Sequence, residues 1–213
     1  MSKGRIIVDE MGKYWEARVQ IFRREAGSIP KDGIVFLGDS ITEGFRVKEY
    51  FPDLNVINRG ISGDKIGGWQ YYGILDRLDT SVFNLKPKAL FILIGINDIV
   101  FWDTPEPEME KGYHAVFAEL KRGAHGVEIY IQSLLPTSGE EFGRFNVKIN
   151  IWNTKIQSMV LEYGFVYLDI ATVFMDEMGD MNKEMTTDGL HLNEKGYDLW
   201  AESIKRYVLP DRS

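Results

Sequence analysis

Residues 89–98 have the sequence Ala-Leu-Phe-Ile-Leu-Ile-Gly-Ile-Asn-Asp, a continuous apolar run that gives way to glycine and then to polar residues. A strand that is apolar at every position is typical of a parallel sheet covered on both faces. The run is far too short to span a bilayer. This stretch therefore predicts a buried strand over Ala89–Ile94 and a polar loop directly after it.

Outward from this strand, short apolar runs alternate with segments that carry apolar residues near helical spacing. The other predicted strands are Ile34–Leu37, Asn55–Asn58, Val127–Gln132 and Phe165–Leu168. The predicted helices are Glu10–Ala26, Ile66–Leu78, Glu106–Arg122, Asn146–Tyr163 and Asn193–Val208, with a loop over residues 136–145. Strands that alternate with helices imply right-handed crossovers. We therefore predict the α/β class: a three-layer α/β/α sandwich around a mainly parallel sheet of about five strands.

The composition limits the class of protein further. A chain of 213 residues with 44% apolar and 13% aromatic residues can build a sizeable core, and its length favours one domain over residues 1–213. The helix at about residues 10–26 would precede that core. The 25 basic and 32 acidic residues give a net charge of −7, which argues against nucleic acid or an anionic membrane surface as a partner.

Cysteine is absent, which removes disulfides, thiolate metal sites and cysteine nucleophiles. The chain has only three histidines, which are too few and too scattered for a metal site with several imidazole ligands. We therefore expect no metal and no cofactor. Residues 1–13 contain no secretory apolar region. The sequence as it stands predicts a soluble cytoplasmic protein, or a secreted or periplasmic one if a leader was removed.

Four polar segments are predicted to meet at one edge of the sheet. Three follow strands, and the fourth precedes the last helix: Gly38-Asp39-Ser40, Arg59-Gly60-Ile61-Ser62-Gly63-Asp64, Gly95-Ile96-Asn97-Asp98 and Asp188-Gly189-Leu190-His191. Ligands of open parallel sheets bind outside the carboxyl ends of the strands. We therefore expect these segments to line one crevice.

Ser40 is the candidate nucleophile, because it comes just after a strand and enters a predicted helix. An ordinary helix N-cap serine is the competing interpretation. Ser62 is the competing serine, although its glycine neighbours favour a turn. The chain has no Gly-x-Ser-x-Gly motif, which disfavours an ordinary α/β-hydrolase.

Asp188 and His191 are separated by two residues, so one loop can hold both. A serine hydroxyl needs a base, and the base needs an acceptor that orients it. These two residues are the candidates for those roles, with a structural histidine as the alternative. His114 lies within a predicted helix and His125 near the end of that helix, so neither requires a catalytic role.

Three groups are candidates to bind a developing oxyanion: the side-chain amide of Asn97, the backbone N–H of Gly63 and that of Ser40. Several donors that converge on one point are what a tetrahedral intermediate requires. Taken singly, Asn97 fits an Asx-turn, and Gly60 and Gly63 fit turn positions. Taken together, the three donors favour an oxyanion site.

The segments Gly38–Gly44, Asn58–Gly63, Gly95–Asp98 and Asp188–His191 resemble the four sequence blocks of SGNH hydrolases in the GDSL esterase superfamily. Their order and spacing match from residue 34 to about 206. Within this superfamily, the chain most resembles the group that is similar to platelet-activating-factor acetylhydrolases and carbohydrate acetylesterases. The resemblance implies a flavodoxin-like fold and metal-free ester hydrolysis.

The same resemblance implies a role for each site residue. Ser40 would be the nucleophile, His191 the base and Asp188 its partner, with Ser40, Gly63 and Asn97 as oxyanion donors. The preference for Gly63 over Gly60 comes from the family pattern. Position 41 is isoleucine where the family name has leucine.

The expected function is therefore a serine esterase for short-chain, chiefly acetyl, esters of small molecules or glycans. Three alternatives stay open: an acyltransferase with the same triad, a non-catalytic glycan-binding module, and a metallophosphoesterase. Five aromatic residues are predicted near the mouth of the site: Trp69, Tyr71, Tyr72, Phe101 and Trp102. They either stack on a sugar, form the wall of an acyl pocket or belong to the core. The alcohol of the substrate and the oligomeric state are not specified by the sequence.

Overall fold

The computed structural model describes residues 3–69 and 72–209, with side chains from residue 10 onward. Five parallel strands form one sheet in the order β2-β1-β3-β4-β5. The strands are β1 (Ile34–Gly38), β2 (Val56–Gly60), β3 (Ala89–Leu93), β4 (Glu128–Gln132) and β5 (Val166–Leu168). This is the flavodoxin-like strand order. The predicted α/β class, the parallel sheet and the five strands are confirmed.

Nine α-helices connect or flank the strands in the described part of the chain. They are α1 (Lys3–Glu25), α2 (Ser40–Glu43), α3 (Val47–Tyr50), α4 (Leu78–Ser81), α5 (Ile96–Val100), α6 (Glu106–Gly123), α7 (Gly139–Phe142), α8 (Asn146–Tyr163) and α9 (Glu194–Val208). None of the described helices is long and apolar enough to cross a membrane. The predicted helix at 146–163 has the same bounds as α8, and α9 begins one residue after its N-cap Asn193.

The core lies on both faces of the central strands. Every residue of β1 and β3 is buried, as expected for strands covered by helices on both sides. Phe36 of β1 stacks on Phe91 of β3 with ring centroids 5.0 Å apart, and it meets Phe45 edge-to-face at 5.5 Å. Phe36 and Phe91 are paired in the sheet at the middle of both strands, so this packing holds β1 and β3 side by side.

The prediction of a helix over Ile66–Leu78 is wrong. Residues 66–69 and 72–73 are not helical, and a 3₁₀-helix over Ile74–Arg77 leads directly into α4. Gly67 and Gly68 have φ of +92° and +83°, a left-handed conformation that no right-handed helix contains. A Cβ on Gly73 would overlap the backbone of Gly67, so the chain folds back on itself here instead of continuing as a helix.

Two other predictions need correction. The segment 136–145, predicted as a loop, contains α7 and a 3₁₀-helix over Gly143–Phe145. Two glutamates in the first turn of α7 favour this short helix, because acidic side chains interact well with a helix N-terminus. Helix α1 also begins at Lys3 instead of Glu10.

Candidate active site

Ser40 lies where β1 ends and α2 begins. Asp39 is the N-cap of α2, because its Oδ1 accepts the backbone N–H of Ile41 at 3.0 Å. Ser40 is therefore the first helical residue, and its interpretation as an N-cap is wrong. The first N–H groups of a helix have no acceptor within the helix, so that of Ser40 is available to a ligand.

Ser40, His191 and Asp188 form one hydrogen-bonded series. Ser40 Oγ lies 3.0 Å from His191 Nε2, and His191 Nδ1 lies 2.7 Å from Asp188 Oδ2. The carboxylate can only accept, so it assigns the proton of the neutral ring to Nδ1. Nε2 is then the acceptor that faces the serine hydroxyl.

The loop that carries Asp188 and His191 is held from several sides. Thr186 Oγ1 donates to the carbonyl of His191 at 2.7 Å and accepts the N–H of Gly189 at 2.9 Å. Gly189 has a φ of +90°, and a Cβ there would clash with the carbonyl of Ser138. The close approach of Ser138 therefore requires glycine at this position.

Asp188 is held in its ionised form. Burial by itself would raise the pKa of Asp188, but hydrogen bonds from the ring and backbone N–H of His191 and from the N–H of Leu190 outweigh it and lower the pKa. An ionised carboxylate at this place can stabilise a positively charged histidine ring.

Gly63 and Asn97 lie on the loops that follow β2 and β3. Asn97 is buried, and its Nδ2 donates to the backbone carbonyl of Asp64 at 2.8 Å. This long-range hydrogen bond is not that of an Asx-turn. Gly63 has a φ of +76°, and a Cβ there would clash with the methyl group of Met11 in α1.

Arg77 is a central residue that sequence analysis missed. Its side chain and that of Asp64 are fully buried and form an ion pair at 2.7 Å. The guanidinium also donates to the carbonyl of Gly38 at 3.1 Å and to Ser81 Oγ at 2.9 Å. The sequence signal for this residue is weak: Arg77 follows Asp76 in a short segment, residues 74–78, that otherwise consists of isoleucine and leucine.

Helix α1, whose role the sequence left open, contacts the same loops. Trp15 Nε1 donates to Asp64 Oδ1 at 3.0 Å, and the Trp15 ring lies 4.6 Å from that of Tyr72. Val19 and Phe22 pack with Ile61 in a small apolar cluster. The N-terminal helix therefore forms one wall of the site.

The aromatic residues predicted at the mouth are not core residues where they are described. Trp69, Tyr72 and Trp102 are half-buried, and Phe101 is 57% exposed with its ring edge-on to Phe142. Tyr71 lies outside the described residues.

Two histidines lie away from this cluster. His114 of α6 is partly buried, with Nδ1 3.2 Å from Tyr163 Oη. His125 borders a cavity of about 340 Å³ that includes Glu128, the first residue of β4. This cavity lies at the amino ends of the strands, whereas ligands of parallel sheets bind at the carboxyl ends. In the described chain, no three His, Asp or Glu side chains are grouped to hold a metal ion.

Fold and site together define a three-layer α/β protein with serine, histidine and aspartate in hydrogen-bonded series at the carboxyl edge of its sheet. A family model described as the GDSL-like Lipase/Acylhydrolase family matches residues 36–199, which is more than half of the chain. The chain belongs to this family.

Solved structures agree with this assignment. A candidate platelet activating factor protein from Streptococcus pneumonia is 30% identical, with a TM-score of 0.87 over 96% of this chain and 97% of that one. An acetylxylan esterase from Geobacillus stearothermophilus is 19% identical, with a TM-score of 0.65 over 84% of this chain and 95% of that one. At this lower identity the likeness concerns the fold.

A curated relative is larger. The N-acylneuraminate cytidylyltransferase of Escherichia coli O18:K1:H7 is 29% identical over 191 residues, which are 90% of this chain and 43% of that protein. The chain thus spans about two fifths of this relative.

The buried carboxyl of Asp39 makes stability depend on pH. Burial raises the pKa of Asp39 from 3.8 to about 7. Because the folded-state pKa is the higher one, the stabilisation is complete below the unfolded value and is lost as the pH rises to about 7. Asp39→Asn keeps an acceptor for Ile41 but cannot ionise. Its free energy of unfolding relative to wild type should therefore rise with pH, by at most about 1.4 kcal/mol per pH unit, and level off above the folded pKa.

Urea denaturation across this pH range measures the difference. Thr42→Val is the matched control, because Thr42 Oγ1, like Asp39 Oδ2, is buried without a hydrogen-bond partner in the described chain, but it does not titrate. Its difference from wild type should not depend on pH. A flat difference for Asp39→Asn as well would show that Asp39 does not bind a proton on folding.

Proposed function

We propose that the protein is a serine esterase that hydrolyses short acyl esters, chiefly acetyl esters, through an acyl-enzyme intermediate. The observation that carries the proposal is the series from Ser40 Oγ through His191 to Asp188, with distances of 3.0 and 2.7 Å. A serine hydroxyl becomes a strong nucleophile when an adjacent base takes its proton, and that base needs a partner that orients it.

The proposed reaction has two halves. Ser40 Oγ attacks the ester carbonyl carbon while its proton passes to His191 Nε2. The tetrahedral intermediate collapses, the alcohol leaves with the proton from His191, and the acyl group stays on Ser40. Water then gives a proton to His191 and attacks the acyl group, which leaves as the acid while Ser40 regains its proton. Asp188 stabilises the charged ring in both halves.

Three donors are assigned to the oxyanion: the backbone N–H groups of Ser40 and Gly63, and the side-chain amide of Asn97. Asn97 Nδ2 carries two hydrogens, and the carbonyl of Asp64 accepts one of them. The other remains for the intermediate. Donors that are already fixed in place stabilise the developing charge without reorganisation.

The preference for short acyl groups rests on the space beside Asp98, the residue that follows Asn97. The cavity that Asp98 lines together with Lys65, Trp102 and Met109 has a volume of about 10 Å³, which is room for at most one water molecule. An eight-carbon chain has no preformed channel there. Side-chain exposures of 40% for His191 and 47% for Asp188 leave the site open to a bulky alcohol and to water where these two residues lie.

A carbohydrate ester is the proposed natural substrate. Two comparisons support it by name: an acetylxylan esterase among the structural neighbours, and a curated relative named for an N-acylneuraminate. The half-buried and exposed aromatic residues at the mouth suit contact with a sugar face.

Ser40→Ala should fold normally and lose about 10⁴-fold or more in kcat, because the attacking oxygen is gone. Hydrolysis of p-nitrophenyl acetate measures the rate, and a loss of less than about tenfold would contradict the nucleophile assignment. An organophosphate should label wild type and Ser62→Ala but not Ser40→Ala, as detected by mass spectrometry.

The assays should give the same rates in EDTA, because no step of the proposed reaction uses a metal ion. Loss of activity in EDTA that Mn²⁺ or Zn²⁺ restores would support the metallophosphoesterase alternative.

Asn97→Ala should lower kcat by about 10²–10³ with a much smaller change in KM, because one oxyanion donor is removed. Asn97→Asp should be worse than alanine, because a carboxylate adds repulsion where negative charge develops. Both variants should also melt earlier, since the carbonyl of Asp64 loses its donor.

Trp15→Phe is the matched control for Asn97, because it removes another hydrogen bond to Asp64, at 3.0 Å. It should lower the melting temperature while kcat changes by less than about threefold. If its kcat falls as far as that of Asn97→Ala, Asn97 acts through the Asp64 loop and not on the oxyanion.

Acetyl esters should be preferred over octanoyl esters by at least about tenfold in kcat/KM, because the long chain finds no apolar pocket to enter. A series of p-nitrophenyl esters from acetyl to octanoyl measures this preference, and acetylated xylose derivatives extend it to sugars. A maximum at octanoyl would show that an apolar groove opens near Trp102.

A further inference from the structure

The carboxylate of Glu43 accepts three hydrogen bonds and forms an ion pair with an arginine. Its Oε2 accepts the backbone N–H of Ser62 at 2.7 Å and the Ser62 hydroxyl at 2.5 Å. Its Oε1 accepts the Tyr14 hydroxyl at 2.6 Å and lies 3.2 Å from Arg18 Nε. Only 20% of the Glu43 side chain is exposed. Hydrogen bonds to an ionised carboxylate are among the strongest in proteins.

Glu43 lies on the same short helix as Ser40, and its contacts reach the loop that carries Gly63. Glu43 is the last residue of α2, the short helix that Ser40 begins. Ser62 directly precedes Gly63 in the loop after β2. The carboxylate therefore joins the segments that carry two of the three proposed oxyanion donors.

The Gly63 turn is closed by one backbone hydrogen bond, from the N–H of Asp64 to the carbonyl of Ile61 at 3.1 Å. Ser62 is exposed, and Gly63 has a φ of +76°, so neither residue is held by packing of its own side chain in the core. A turn with few apolar contacts of its own opens more easily than the strands around it. Glu43 supplies two hydrogen bonds to Ser62 at this place.

We propose that Glu43 is the positioning residue of the oxyanion hole, holding the N–H of Gly63 at a fixed distance from that of Ser40. The inference rests on the proposed function, since it assumes these two donors. Glu43 does not touch the substrate. It acts by keeping the Ser62–Gly63 turn against α2.

Helix α1 completes this arrangement. Tyr14 and Arg18 hold the carboxylate of Glu43 from one side, and the methyl group of Met11 lies against Gly63. Residues of three separate segments, α1, α2 and the loop after β2, thus meet at one carboxylate.

The test compares Glu43→Ala and Glu43→Gln with wild type. A donor displaced by about an ångström costs up to about 10²-fold, so Glu43→Ala should lower kcat by about 10- to 100-fold with KM within about threefold. Glu43→Gln keeps one oxygen that can accept the Ser62 N–H, so it should recover part of the loss. The pH dependence of the rate should keep its shape in both, because the contact between Asp188 and His191 is untouched.

Glu25→Gln is the matched control. Glu25 lies on α1, the helix whose Tyr14 and Arg18 contact Glu43, and like Glu43 it pairs with an arginine, Arg59 Nη1 at 3.3 Å, but it contacts neither Ser62 nor Glu43. It should lower the melting temperature while kcat stays within about twofold of wild type. A loss of kcat equal to that of Glu43→Ala would mean that any loosening of α1 has the same effect, which would overturn the proposal.

The remaining outcomes separate this inference from the proposed function. If Ser40→Ala is inactive and the kcat of Glu43→Ala stays within about twofold of wild type, the role of Glu43 is overturned and the proposed function stands. Active Ser40→Ala overturns both. If Glu43→Ala does not fold, Glu43→Gln carries the test, and an unchanged kcat in that variant contradicts the positioning role.

Discussion

The buried ion pair of Asp64 and Arg77 is the contact on which the arrangement of the site depends. Arg77 donates to the carbonyl of Gly38 at the end of β1, and Asp64 belongs to the loop after β2. The carbonyl of Asp64 accepts the amide of Asn97, which follows β3. One pair of charges therefore ties together the loops of three strands.

Such a pair adds little to stability when both partners are present, because the loss of hydration offsets much of the attraction. Removal of one partner is costly, at about 3–5 kcal/mol, since the other charge stays buried alone. We therefore interpret the ion pair and its hydrogen bonds as contacts that fix the relative positions of the three loops. The two buried charges have each other as partners only when the loops are arranged in this way, and the same arrangement brings Ser40 and Asn97 to one edge of the sheet.

Much of the fold and of the site follows from the sequence alone. The continuous apolar run at 89–94 is typical of a strand buried on both faces, as in a parallel sheet with helices on each side. Because all strands point the same way, their following loops must meet at one edge. The candidates Ser40, Asn97, Asp188 and His191 follow in this way, since each belongs to a short polar segment beside an apolar run or a helix start. The choice of Gly63 over Gly60 comes from the family resemblance.

Other features were decided only by the tertiary structure. Glu43, Arg77 and Trp15 contact the site loops from segments that are distant in the chain, and a charged or aromatic residue in a local pattern does not reveal its partner. The region after Gly63 was predicted as a helix, yet positive φ angles at Gly67 and Gly68 turn the chain away. The spacing of apolar residues along a segment shows which of its faces is apolar, and it therefore determines strands and long helices. Contacts between segments depend on how the whole chain packs, and therefore only the folded molecule determines them.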